Sequence, residues 1–337
     1  MKRTIQVVSL VDLTAGQVET LKGAARGVAV RLHPLRAGED VTPHVRDAEV
    51  ILSSQLPFDP AQAPHLAWVQ AVSAGINQLL EHPLWQRGIR LTTASGIHAV
   101  PIAEHVLAMM LAWARRLPVA WRCQAAREWG MSCVDSFHIS ELRGATLGIV
   151  GYGSIGRHLA RLASQLGLRI LAVKRTPIRE EVGGWGEPGV GDPAGEIPER
   201  IYGPGDWYEM LPQCDFVVTS VPLTPATRHL IGSRELAAMK RSAFLINIAR
   251  GEVVDEEALI RALREGTIAG AGLDVFANEP LPADSPLYGM DNVILTPHVA
   301  GHSARYYDRL ALLFAENLAR YADGRPLLNL VDRERGY

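Results

Sequence analysis

The chain has 337 residues, 47% apolar and 21% charged, enough to bury the core of one or two domains and too apolar for a disordered chain. Its 34 Lys and Arg against 36 Asp and Glu leave a formal charge of −2, so no basic field points to nucleic acid and no cationic face to a membrane. Cys123, Cys133 and Cys214 make no disulfide framework, no run is apolar enough to span a bilayer, and the start reads as a strand, so a cytoplasmic protein is expected.

Residues 5–10 read as a strand and 12–23 as a helix. Strands follow at 48–53 and 68–72, the second leading into Ser73-Ala74-Gly75. This βα alternation predicts a parallel sheet between helices. A long helix over 102–113 has Pro101 in its first turn and is apolar on most faces, so it packs inside the chain or against a second copy. Residues 118–141 read as a less regular stretch.

The pattern then restarts. Strands are predicted at 146–150, 169–173, 215–221, 243–248, 270–275 and 293–296. Helices are predicted at 155–166, 233–239, 256–265 and 303–323. Residues 177–205 are rich in Gly, Pro and acidic residues, which predicts a surface excursion without a core element.

Gly151-Tyr152-Gly153-Ser154-Ile155-Gly156 follows a predicted strand and opens a predicted helix, the context that a dinucleotide-binding loop requires. Gly151 allows a tight turn, Gly153 lets backbone approach a pyrophosphate, and Gly156 permits close helix–strand packing. The helix start offers N–H groups and partial positive charge to phosphates. An NAD site usually has an acidic residue at the end of the next strand, to hold the ribose hydroxyls. Here that place is taken by Lys174-Arg175-Thr176. A guanidinium can bind a 2′-phosphate bidentately and a hydroxyl can assist, so NADP(H) is predicted over NAD(H), which stays possible.

Three reactive segments each follow a predicted strand: Asn247-Ile248-Ala249-Arg250-Gly251, Asn278-Glu279-Pro280 and Thr296-Pro297-His298. Loops at the carboxyl ends of strands line the ligand crevice of such sheets, so one cation, one carboxylate and one imidazole could converge. No His, Asp or Glu spacing suggests a metal site.

At these residues the chain resembles the D-isomer-specific 2-hydroxyacid dehydrogenases. The resemblance is carried by Ala103-Glu104-His105, Glu141-Leu142-Arg143-Gly144, the glycine loop and Pro222-Leu223-Thr224. It continues through Arg250-Gly251 with Val254-Asp255, Gly272-Leu273-Asp274-Val275 and Pro297-His298. It implies that Arg250 clamps the substrate and that His298 is the acid in reduction and the base in oxidation. It implies that Glu279 orients the imidazole and that the backbone of Ala74 and Gly75 binds the substrate carboxylate. Pro222, Ala249 and Asp274 would lie at the cofactor, Asp274 near the nicotinamide carboxamide. His105 reads as a packed core histidine, and His98, His138 and His302 carry weaker signals. Residues 177–205 look longer than is usual in the family, and Asn77 stands where many relatives carry Asp.

The expectation is therefore two doubly wound, Rossmann-like α/β domains with parallel sheets, one of them discontinuous. Residues 1–98 plus 301–337 would form a flavodoxin-like substrate-binding domain, and 99–300 the dinucleotide-binding domain. The active site would lie between them, and hinge closure would exclude water. The expected reaction is NADPH-dependent reduction of a small 2-oxo acid, such as glyoxylate or hydroxypyruvate, by a homodimer. Phosphoglycerate oxidation is less favoured, because no regulatory domain follows Tyr337. Alternatives are a relative with another substrate and NAD preference, a formate-type dehydrogenase, and a dinucleotide-sensing corepressor of the same fold.

Overall fold

The computed structural model of the chain describes residues 4–76, 79, 82–129, 139–176, 178–180 and 184–333. Asn77, Cys133, His138 and Pro177 lie outside the described residues. One unit comprises Met1–Ile97, Val182–Pro188 and Ser303–Tyr337, and the other His98–Glu181 and Gly189–His302.

In the first unit, β1 (Ile5–Ser9), β2 (Val28–Leu32), β3 (Val50–Ser53), β4 (Trp68–Ala71) and β5 (Arg90–Thr92) form a sheet in the order β2-β1-β3-β4-β5. Every pairing is parallel, and the order is that of flavodoxin-like folds. β3 and β4 are buried throughout, so their apolar runs are continuous and do not alternate. The helix Ala15–Gly23 starts where Thr14 and Gln17 make a reciprocal capping box. The helix Tyr306–Ala322 lays Leu310, Leu313, Phe314 and Leu318 into the cluster that holds Val7, Leu52 and Trp68.

The second unit holds β6 (Thr146–Val150), β7 (Arg169–Val173), β8 (Arg200–Tyr202), β9 (Phe216–Thr219), β10 (Phe244–Asn247), β11 (Gly270–Leu273) and β12 (Val293–Leu295). All are parallel, in the order β12-β11-β10-β9-β6-β7-β8. The direction of winding reverses between β6 and β9, and ligand crevices open at such a switch point. Leu147, Ile149, Phe216, Val218, Phe244 and Ile246 bury one face, while Val150, Val217, Leu245 and Ala271 bury the other.

The long apolar helix is Ala99–Ala114, and its inner face packs within the chain. Trp113 stacks on Phe244 with ring centroids 4.5 Å apart. Gly270 and Gly272 of β11 make room for it: a Cβ at Gly270 would stand 2.5 Å from the Trp113 ring, and one at Gly272 2.9 Å from Met109 Sδ.

Several elements were not legible in the sequence. The edge strand β2 is only half-buried, so it lacks the apolar run that marks β3. β5 is three residues long. Leu117–Ala126 is a helix inside the stretch that was predicted to be irregular. Residues 177–205 do contribute to the core: β8 lies there, and Tyr202 and Asp192 are buried. Within the same stretch, Trp185 donates its N–H to Asn329 Oδ1 at 3.2 Å, and Glu187 pairs with the buried Arg309 at 2.9 Å. These contacts explain why that segment groups with the first unit. Cys214 is a free, buried thiol. Among the described residues, no helix is long and apolar enough to cross a membrane.

Candidate active site

The glycine loop leaves the end of β6 at the switch point. Gly151 has φ +107°, and a Cβ there would stand 2.6 Å from the carbonyl oxygen of Ser220, at the end of β9. A Cβ on Gly156 would stand 2.4 Å from Gly151 O, so the helix Ser154–Gln165 seats directly on the loop. Gly153 faces open space, with nothing within 4 Å of where its Cβ would be. It caps the helix without a side-chain hydrogen bond. The half-buried Ser154 and Ile155 follow in the first turn, where backbone N–H groups have no helical partner. The loop thus leaves the helix start uncovered at Gly153, and its backbone N–H groups fit a phosphate group.

Tyr152 is buried, and its hydroxyl donates to Asp192 Oδ2 at 2.6 Å. Asp192 also accepts the N–H groups of Glu196 and Ile197, both at 3.1 Å. Arg157 of the same helix is fully buried and donates to the carbonyls of Asp192 and Arg179. His158 Nδ1 accepts from Gly191 N–H, and Arg161 donates to Gly189 O. The helix behind the loop therefore grips Arg179 and the 189–192 stretch from several positions.

At the end of β7, Lys174, Arg175 and Thr176 part company. Lys174 Nζ turns to the carbonyls of Ile178, at 2.9 Å, and Glu180, at 3.3 Å. Arg175 and Thr176 are exposed. Pro222, after β9, is exposed, and its carbonyl accepts the Thr227 hydroxyl at 2.6 Å.

At the end of β10, the buried Asn247 builds the turn that carries Arg250. Its Oδ1 accepts from the Thr219 hydroxyl and from Ala249 N–H, and its Nδ2 donates to Arg250 O. Ala249 is buried, and Arg250 is half-buried with Nη1 2.7 Å from Ala249 O. Gly251 lies so close to the backbone at Phe276 that a Cβ would stand 1.9 Å from that carbonyl carbon. The Arg250 turn and the loop leading to Glu279 are thereby held together.

Glu279 Oε1 accepts from Phe276 N–H at 3.0 Å, and Glu279 Oε2 lies 2.7 Å from His298 Nδ1. His298 sits at φ +55°, and its N–H bonds to the carbonyls of Asp274 and Thr296. Its ring is half-exposed.

Asp274 is buried, and its carboxylate organises the loop after β12. Oδ1 accepts the Thr296 hydroxyl at 2.6 Å and Val299 N–H at 2.9 Å, and Oδ2 accepts Ala300 N–H at 3.0 Å. His105 Nε2 bonds Thr296 Oγ1 at 3.0 Å, so His105 is more than core packing. Burial holds the His105 imidazole below its ordinary range, against the opposing charge of Asp274. The only sign in the sequence was a polar residue on an apolar helix. His98, half-buried at the start of that helix, is pushed down to about 4 by burial and then by the Arg250 charge. His302 is exposed.

Arg250, Glu279, His298 and the glycine loop thus share the second unit. Ala74 and Gly75 belong to the first, where Ala74 is exposed and Gly75 O accepts the Ser73 hydroxyl at 2.7 Å.

Residues 107–300 match the family model for the D-isomer specific 2-hydroxyacid dehydrogenase, NAD binding domain. The chain is 36% identical to a glyoxylate reductase of Korarchaeum cryptofilum, over 86% of this chain and 84% of that one. It is 38% identical to a glyoxylate reductase of Thermococcus gammatolerans, over 81% and 78%. Among solved structures, it superposes on a D-isomer specific 2-hydroxyacid dehydrogenase from Xanthobacter autotrophicus, in complex with NADPH and MES. That match has a TM-score of 0.80 and 32% identity, over 99% of this chain and 100% of that one. An NADPH-dependent glyoxylate/hydroxypyruvate reductase from Sinorhizobium meliloti, in complex with NADP and sulfate, matches at TM-score 0.76 and 25% identity, over 99% and 100%.

Proposed function

The chain belongs to the D-isomer specific 2-hydroxyacid dehydrogenases, a family of oxidoreductases, and on that footing we propose that it reduces a small 2-oxo acid of the glyoxylate or hydroxypyruvate type to the D-2-hydroxy acid. The observation that carries the reading is the 2.7 Å contact of Glu279 with His298, on a loop beside the Arg250 turn. A carboxylate at Nδ1 fixes the tautomer and leaves Nε2 as the working atom.

When bound, the reduced nicotinamide supplies a hydride to the substrate carbonyl carbon. His298 Nε2 delivers a proton to the carbonyl oxygen, and Glu279 orients the imidazole for that transfer. Arg250 holds the substrate carboxylate or keto oxygen with its planar fork. Ala74 and Gly75 are proposed to bind the same carboxylate through backbone N–H groups. Asp274 and His105 set the loop that carries His298.

The glycine loop is proposed to seat the pyrophosphate. NADP(H) is the proposed partner, with Arg175 and Thr176 facing the 2′-phosphate, as two similar structures were solved with NADPH or NADP. Lys174, turned onto the 178–180 backbone, orders that turn. A homodimer is proposed through the outer side of Ala99–Ala114 and the helix Leu117–Ala126, which buries no residue of its own and exposes Trp121.

The stereochemistry of the product tests the assignment. Hydroxypyruvate with NADPH is expected to yield D-glycerate, resolved by chiral chromatography. L-glycerate, or a racemate, would overturn it.

A further inference from the structure

We propose that His33, Glu39 and His44 form a binding site for a divalent transition-metal ion of the zinc class. The site lies in the first unit and uses none of the residues assigned to the reduction. His33 follows β2, Glu39 stands in the next turn, and His44 belongs to the short helix Thr42–Val45. The sequence spacing gave no hint of this, because a turn and a helix fold back to bring the three together. One candidate ligand atom from each lies within 4.8 Å of the others.

Two features separate the cluster from an ordinary polar surface. The rings of His33 and His44 stack with centroids 3.4 Å apart and planes 13° from parallel, so two imidazoles share one place. Glu39 Oε2 is a buried acceptor without a hydrogen-bond partner among the described residues, and His33 Nε2 is a buried atom whose approach to Glu39 Oε1 lacks hydrogen-bond geometry. A buried acceptor without a partner is costly, and an ion would satisfy it. His33 Nε2 lies 3.3 Å from Glu39 Oε1, close enough for both residues to face one ion.

The donor set selects the class of ion. Two imidazole nitrogens and one carboxylate oxygen suit zinc and its neighbours, and are poor in the oxygen ligands that calcium or magnesium require. Ligand atoms at about 2.0–2.2 Å from an ion stand roughly 3.3 Å apart with their lone pairs converging, so closure needs one imidazole to turn out of the stack. His44 is exposed and can do so. Glu39 also lines a cavity of about 490 Å³ with Arg36, Asp40 and Gln55, which leaves room for water in the fourth position.

The test uses the untagged full-length protein, stripped with a chelator. Co²⁺ is followed by its visible absorption, and Zn²⁺ by competition with a chromogenic chelator. One equivalent per chain is expected. His44→Ala and Glu39→Gln should each weaken it by at least about tenfold, since even outer-shell changes cost that much, and His65→Ala should leave it unchanged. The proposal is overturned if the native chain binds no stoichiometric ion. It is also overturned if either variant changes affinity by less than about tenfold, or if His65→Ala weakens binding as much.

Discussion

His298 Nδ1 lies 2.7 Å from Glu279 Oε2, while the other oxygen of Glu279 accepts the N–H of Phe276 at 3.0 Å. The carboxylate is thus fixed by backbone at one end and fixes the imidazole at the other. Replacing His298 by Ala should lower kcat by at least about a hundredfold, the scale of a lost proton donor. Glu279→Gln should lower kcat less than His298→Ala does, since it keeps a partner at Nδ1 and the imidazole itself. Steady-state rates check both, and normal turnover by His298→Ala would remove this residue from the chemistry.

Arg250 reaches its place through Asn247, which holds the turn at Thr219, Ala249 and the Arg250 carbonyl. Arg250→Ala removes the fork and leaves that turn intact. The KM for a 2-oxo acid should rise roughly 10- to 100-fold, the worth of a hydrogen bond to a charged group. NADPH binding, followed by fluorescence titration, should hardly change. Equal loss of both would break the assigned role.

Arg175 is exposed at the end of β7, where a guanidinium can pair with a 2′-phosphate. Arg175→Ala should therefore weaken NADPH by about 10- to 100-fold and leave NADH little affected. An equal effect on both cofactors, measured as KM, would place the 2′-phosphate elsewhere.

His98 sets a pH dependence of stability. Its folded value is pushed down to about 4, while the ordinary value is 6.5. Between these two values the unfolded chain binds a proton that the folded chain refuses. This contribution is complete above pH 6.5 and is lost as the pH falls toward about 4, at about 1.4 kcal/mol per unit. His98→Gln should lose less stability than the parent in urea melts across that window. Parallel curves for the two proteins would contradict the assignment.

The second unit was legible where local rules and tertiary packing agree. Thr146–Val150 and Arg169–Val173 are strands buried on both faces, and their apolar runs announced them. Glu256–Glu265 is bounded by an Asp255 cap and by Gly266 in the left-handed region, both readable signals. The segments that carry Arg250, Glu279 and His298 each follow a strand, as their place in the sequence indicated. What stayed hidden depends on distant partners. The contacts of the Asp274 carboxylate with Thr296, Val299 and Ala300 exist only once the chain has folded. So do those of Lys174 with the carbonyls of Ile178 and Glu180. The Gly- and Pro-rich stretch looked solvated because Arg157 and Tyr152, which anchor Asp192, lie far upstream of it.

The most direct test is a set of initial rates with glyoxylate, hydroxypyruvate, pyruvate and phenylpyruvate, each with NADPH and with NADH. Fast oxidation of NADPH by the two small acids, with slower turnover of phenylpyruvate and of NADH, is the predicted result. No turnover of any 2-oxo acid with either cofactor would contradict the assigned reaction.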